Sequence, residues 1–183
     1  MAELLTRGQQ FYRTAQVLDS ALNLGTQATK SHTLVGNNAT VAVPLFRVTG
    51  SVKVIALYGV VTTALGSAVT AAHWRTNDQT ATLPISAAAG TTLSNFVAGS
   101  VLTRKSLVSV ALTGDNASAA KVIDPVAATA PDIFMPFNVV QKTGAVQTDI
   151  EFVYTTTNTP TSGAITFYVM YAPLTATSTL VEV

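Results

Sequence analysis

Thr148-Asp149-Ile150-Glu151-Phe152-Val153-Tyr154-Thr155 puts Ile150, Phe152 and Tyr154 on one parity and Asp149, Glu151 and Val153 on the other. A period of two marks a half-buried β-strand, because successive side chains leave opposite faces of the pleat. Ala164 to Tyr171 repeats the pattern, with Ile165, Phe167, Val169 and Tyr171 against Thr166, Tyr168 and Met170. Between them, Thr156-Thr157-Asn158-Thr159-Pro160-Thr161-Ser162-Gly163 reads as a polar hairpin loop joining the two strands.

Upstream, Ala39 to Val48 is rich in Val and Thr, and Pro44 within it marks an edge position or a bulge. Val52 to Val61 is apolar on both parities: Val52, Val54, Ala56, Tyr58 and Val60 on one, Ile55, Leu57 and Val61 on the other. That predicts a strand covered on both faces. Val69 to Arg75 reads as its partner across a turn at Leu65-Gly66-Ser67. Shorter strands are expected over Thr80–Ile85, Thr91–Val97, Val101–Thr103, Leu107–Thr113, Ala119–Ile123 and Ile133–Val140, with Gly114-Asp115-Asn116 as a break. Eight to ten short strands with turn signals about every 8–12 residues are the pattern of a sandwich or barrel. There is no room for repeated crossover helices, so a parallel α/β sheet is excluded. The expected fold is all-β: an antiparallel β-sandwich, jelly-roll-like, over residues 31–183.

Residues 1–30 differ in texture. They hold Glu3, Arg7, Arg13, Asp19 and Lys30, five of the nineteen charges. Phe11, Ala15, Leu18 and Leu22 fall at helical spacing before Gly25, a plausible stop. Two readings stand: a short amphipathic helix, or an N-terminal arm ordered on a neighbouring subunit.

The 183-residue chain is 10% charged, 48% apolar and 7% aromatic, with net charge +1 and no Cys. An ordinary domain carries about 25% charged residues. A disordered chain would be more charged and less apolar. A nucleic-acid partner is not expected, because the net charge offers almost no counterion release. Disulfides, thiolate metal sites and Cys nucleophiles are absent. The first residues lack a basic segment followed by an apolar one, so no signal peptide is read. Val54 to Trp74 lacks acidic and basic residues over a length that would span a bilayer. Gly59, Thr62, Thr63, Gly66, Ser67, Thr70 and His73 interrupt it, so two strands around a turn are preferred and no membrane partner is expected.

The chemical inventory is thin. His32 lies in a polar stretch, and His73 reads as a strand-end imidazole packed against Trp74. His73 with Asp78 lacks a third metal ligand. Asp149 and Glu151 share one strand face and read as a solvated outer face beside water or a partner's Lys, not as an acid/base pair. No Ser sits in a nucleophile elbow, and Gly90 and Gly99 do not make a phosphate loop. Thr113-Gly114-Asp115-Asn116 reads as a tight turn and not a calcium loop. Asn38-Ala39-Thr40 and Asn116-Ala117-Ser118 match the glycosylation sequon by chance. Arg104-Lys105, the sole adjacent basic pair, reads as a surface loop. The chain is therefore expected to be no enzyme, with no cofactor and no metal.

The low charge suggests a surface solubilised by hydroxyls or covered by neighbouring subunits, where charge is depleted. Residues 31–183 hold only fourteen charges. Gly50 to Leu65, continuing through Ala72-His73-Trp74-Arg75-Thr76-Asn77-Asp78-Gln79-Thr80, resembles segments of proteins encoded by tailed bacteriophages. The remainder resembles their virion structural proteins in texture: short strands, Thr/Ala/Val-rich, Cys-free, with an N-terminal arm. The resemblance implies a capsid decoration (cement) protein, located on the virion surface after assembly in the host cytoplasm. Its implied partners are itself, as a homotrimer, and the major capsid protein. On this reading Phe11, Tyr12, Arg13 and Leu18 dock the arm on a neighbour. The alternatives are a tail, baseplate or fibre subunit, and a carbohydrate-binding sandwich that uses Trp74, Tyr58, Tyr154, Tyr168 or Tyr171.

Overall fold

The computed structural model describes residues 25–66, 69–88, 93–94, 96–104, 109, 111–118, 126–127, 130–131, 136–144 and 147–183. In chain order the strands are β1 (Thr26–Thr33), β2 (Thr40–Thr49), β3 (Ser51–Thr63), β4 (Val69–Asn77), β5 (Thr82–Pro84), β6 (Val101–Thr103) and β7 (Thr113–Asp115). Then come β8 (Val126–Ala127), β9 (Ala130–Pro131), β10 (Phe137–Val140), β11 (Thr148–Thr156), β12 (Ala164–Pro173) and β13 (Thr179–Glu182). The front sheet has the order β1-β12-β3-β6-β7, with β10 also paired to β3, and the back sheet is β13-β2-β11-β4-β5. β8 and β9 form a separate small hairpin. Pairing within both large sheets is antiparallel throughout, and the two sheets form the expected β-sandwich. β11 is inserted between β2 and β4.

The alternating strands supply the core as their parity predicts. Ile150, Phe152 and Tyr154 of β11 face Ile165, Phe167 and Val169 of β12 across the gap between the sheets, all at 0% exposure. Phe152 contacts Phe167 with ring centroids 4.8 Å apart, and Trp74 packs 5.8 Å from Phe152. Each such aromatic removes a large apolar area from water, the dominant favourable term in folding. At the other end of the strand register, Lys30 of β1 reaches Glu182 of β13 at 3.3 Å and bonds the Val183 carbonyl. This pins the two sheet edges together along one side.

The partners of several strands differ from expectation. β4 does not pair with β3; it crosses to the back sheet between β11 and β5. Thr156 to Gly163 is likewise not a hairpin loop, because β11 and β12 lie in opposite sheets. Two strands that each carry one aromatic face gain more by stacking those faces across the sandwich than by lying side by side in one sheet. The boundary expected at residue 30 falls inside β1, whose Thr26 to Thr33 pair with Tyr171 to Ala164. That strand alternates short polar residues with little apolar signal, and β13 was also unmarked in the sequence. Gly114 and Asp115 extend β7 instead of ending a strand.

The two-faced strand has a specific cause. Met170 pairs with Ala56 and Tyr171 with Val54, so Ile55 is an extra residue in β3. A bulge of one residue reverses the facing of everything beyond it. Val52 and Val54 therefore point inward with Leu57 and Val61, while Tyr58 and Val60 point out. Pro44 also sits beside a bulge, with Phe46 opposite Ile150 and Pro44 opposite Glu151. In β4 the register slips near Ala71, which adopts φ 53°.

Candidate functional site

Polar and aromatic side chains gather at three places: the end of the sandwich at Tyr154, the back sheet's outer face and the front sheet's outer face. At the end, the Tyr154 hydroxyl donates to the Val35 carbonyl at 3.2 Å and accepts from the Val35 N–H at 3.0 Å. His32 Nε2 lies 3.0 Å from the same oxygen and completes its shell as a donor. Burial, and secondarily Lys30, push the His32 imidazole below its ordinary pKa, so it is held neutral. Burial raises the Tyr154 phenol. These groups tie β1 and the following loop to the core; none reaches a nucleophile.

On the back sheet, Asp149 and Glu151 are 1% and 4% exposed, and the expected solvated face is not found. Arg47 on β2 grips Asp149 through Nε at 2.9 Å and Nη2 at 3.1 Å. On the other flank, Arg75 Nε donates to Glu151 at 2.7 Å and Asn77 Nδ2 at 2.8 Å. The cross-strand register causes this, since Asp149 lies opposite Arg47 and Glu151 opposite Arg75. Each carboxylate of the central strand thus has a guanidinium from its own chain, and the face is electrically closed. His73 bonds the Ala71 carbonyl through Nδ1 at 2.8 Å, on the outer face with Val153. Trp74 points into the core, so the expected imidazole–indole contact does not form; adjacent strand residues face opposite ways. Trp74 Nε1 is buried with no partner among the described residues.

Asp78 is committed to its own turn. It accepts from the Thr80 and Ala81 N–H groups at 2.8 and 2.7 Å and from the Thr80 hydroxyl at 2.7 Å, with Lys142 at 3.3 Å. The Thr80 hydroxyl, then these backbone donors, hold its carboxyl well below the usual range. It cannot serve as a proton shuttle near neutrality. Arg104, expected in a surface loop, is 8% exposed; its Nε donates to the Ile85 carbonyl at 2.8 Å and its guanidinium lies 4.4 Å above the Phe137 ring. No group of metal-ligating side chains occurs among the described residues, and no described helix is long and apolar enough to cross a membrane.

The front sheet's outer face is different. Its register sets Thr29, Tyr168, Tyr58 and Thr103 in one row across four strands. Ser31, Thr166, Val60 and Val101 form the next row, and Gln27, Met170 and Ala56 a third. None of these eleven residues is charged, although the second row continues on β7 with Asp115 opposite Val101, and Thr103 is buried. Tyr58 and Tyr168 stack at 5.0 Å with their planes 11° apart. Lys53 stands at the margin. The bulge at Ile55 hides from the sequence which residues of β3 share this face.

Of the aromatic residues offered for carbohydrate binding, Trp74, Tyr154 and Tyr171 are in the core. Phe11, Tyr12, Arg13 and Leu18 lie outside the described residues. No family model, curated protein or solved structure matches this chain.

Proposed function

We propose that this chain is a non-enzymatic structural subunit of a virion, of the capsid decoration (cement) type found in tailed bacteriophages. The observation that carries the reading is the contrast between the two outer faces. The back face neutralises its own charges within one chain, whereas the rows of the front face from β1 to β6 present tyrosine, methionine, valine and threonine, and charge enters only at their borders, at Lys53 and at Asp115 of β7. Charge depletion over a flat apolar and hydroxyl-rich surface is the composition of a contact region. The chain's 10% charged content extends that character to the molecule as a whole. The core position of Trp74, Tyr154 and Tyr171 counts against a sugar platform built on them.

In this role the sandwich acts as a rigid body that covers joints between capsid subunits, and the part of residues 1–30 that precedes β1 supplies an arm that engages a neighbour through Phe11, Tyr12, Arg13 and Leu18. Purified particles are the test. Labelled protein is expected on the head, at reduced occupancy when residues 1–24, which precede β1, are deleted. Full occupancy after the deletion removes the arm's role, label on the tail replaces the head with a tail subunit, and absence from particles overturns the reading.

A further inference from the structure

We propose that the cleft between the β4–β5 turn and the β10–β11 loop binds a neutral, hydroxyl-rich ligand, a single sugar ring or the end of a glycan. The site is independent of the structural-subunit role.

The cleft has a volume of about 480 Å³, within the range of about 300–1,000 Å³ usual for small-molecule sites. Asp78, Gln79 and Thr80 line it from the turn, and Lys142, Thr143, Gly144 and Gln147 line it from the loop. Both walls are held by hydrogen bonds of their own. In the turn, Asp78 Oδ1 accepts from the Thr80 and Ala81 N–H groups at 2.8 and 2.7 Å, and the Asp78 N–H donates to the Ala81 carbonyl at 3.1 Å. In the loop, the Gln141 N–H donates to the Gly50 carbonyl at 2.7 Å, its side chain accepts from the Gly50 N–H at 2.9 Å, and the Lys142 N–H reaches the Thr148 hydroxyl at 3.3 Å. The Lys142 ammonium bridges the walls, to Asp78 Oδ2 at 3.3 Å and to the Thr80 hydroxyl. A ligand therefore meets a formed site and pays little to order it.

The chemistry of the walls selects the ligand. The ammonium and the carboxylate cancel, so an anion meets Asp78 and a cation meets Lys142, and neither is favoured. Among the described residues no aromatic or aliphatic side chain lines the cleft, which gives a flat apolar ligand nothing to bury against. The Gln79, Thr143 and Gln147 side chains line the cleft and bond no group among the described residues. Each can both donate and accept, as can Asp78 and Lys142 taken together. Vicinal hydroxyls have the same double capacity. The methyl and methylene groups of the Thr, Gln and Lys side chains between these atoms match the C–H edges of a sugar ring.

The test is a two-dimensional NMR titration of the full chain, following backbone and glutamine side-chain amides. The probes are glucose, galactose, mannose and N-acetylglucosamine, with sodium sulfate and calcium chloride as charged comparisons. At least one sugar is expected to saturate the protein, with half-saturation on the order of 1–10 mM, because one ring offers few atoms to hold. Its shifts are expected to centre on Gln79, Thr143 and Gln147. Gln79 sits at φ 72°, so Gln79→Gly removes the amide and keeps the turn. That variant and Gln147→Ala are each expected to weaken the sugar at least about fivefold, with circular dichroism to confirm folding.

No saturation by any of the four sugars up to about 100 mM overturns the proposal, as do variants that bind like the wild type. Sulfate or calcium held at these residues more tightly than every sugar overturns it in favour of an ion site. Shifts centred on Tyr58 and Tyr168 overturn it in favour of the front face. None of these outcomes bears on the virion role, which particle labelling decides.

Discussion

Replacing Arg75 by Met should cost more stability than replacing its partner Glu151 by Gln, and the difference can be worked from exposure. The Arg75 side chain is 27% exposed, whereas that of Glu151 is 5% exposed. In Glu151→Gln the guanidinium left behind can turn toward water, and the amide keeps an oxygen for Asn77. The loss is one charge-assisted hydrogen bond, about 1.5 kcal/mol at the low end of its range. In Arg75→Met a carboxylate stays buried with Asn77 as its remaining donor at 2.8 Å. Breaking a buried pair in that sense costs about 3–5 kcal/mol, and Asn77 keeps it near about 3. At about 2–4 °C per kcal/mol for a chain of this size, the melting point falls by about 6–12 °C against about 3–6 °C.

Urea unfolding of each variant beside the wild type measures the two penalties. Equal penalties for the two variants would refute the reasoning.

Two further outcomes are expected. The depressed His32 pKa means that the unfolded chain takes up a proton before the native one does, so stability should decline as pH falls below about 6.5. His32→Gln should flatten that part of the melting curve, and an unchanged slope would rule out His32 as its source. Ala71 sits at φ 53° in the β4 bulge, a conformation that glycine adopts without the Cβ clash. Ala71→Gly should therefore raise stability by about 0.5–1 kcal/mol in chemical denaturation, whereas a loss would show that the bulge geometry is not strained.

The strands and their faces were legible in the residues because local sterics and parity fix them. Phe152 and Tyr154 had to be inside once they alternated with Asp149 and Glu151, whatever strand lay beside them. The same parity put Phe167 and Tyr171 together and left Tyr168 out. Partnership was not legible, because a strand's hydrogen-bonding edges are the same backbone in every sequence. Only the packed sandwich decided that β11 lies between β2 and β4 and that β12 lies beside β3. That choice gave Asp149 and Glu151 their arginines, which stand 102 and 76 positions away. It also turned Tyr58 outward: a single unpaired residue, Ile55, reversed the parity of β3, and a bulge leaves no mark in composition. The sequence by itself determined a low-charge, all-β chain with two strands whose large apolar residues keep one parity. The tertiary structure decided which of its surfaces is electrically closed and which is left neutral, because cross-strand register, and not residue type, sets which side chains stand opposite one another.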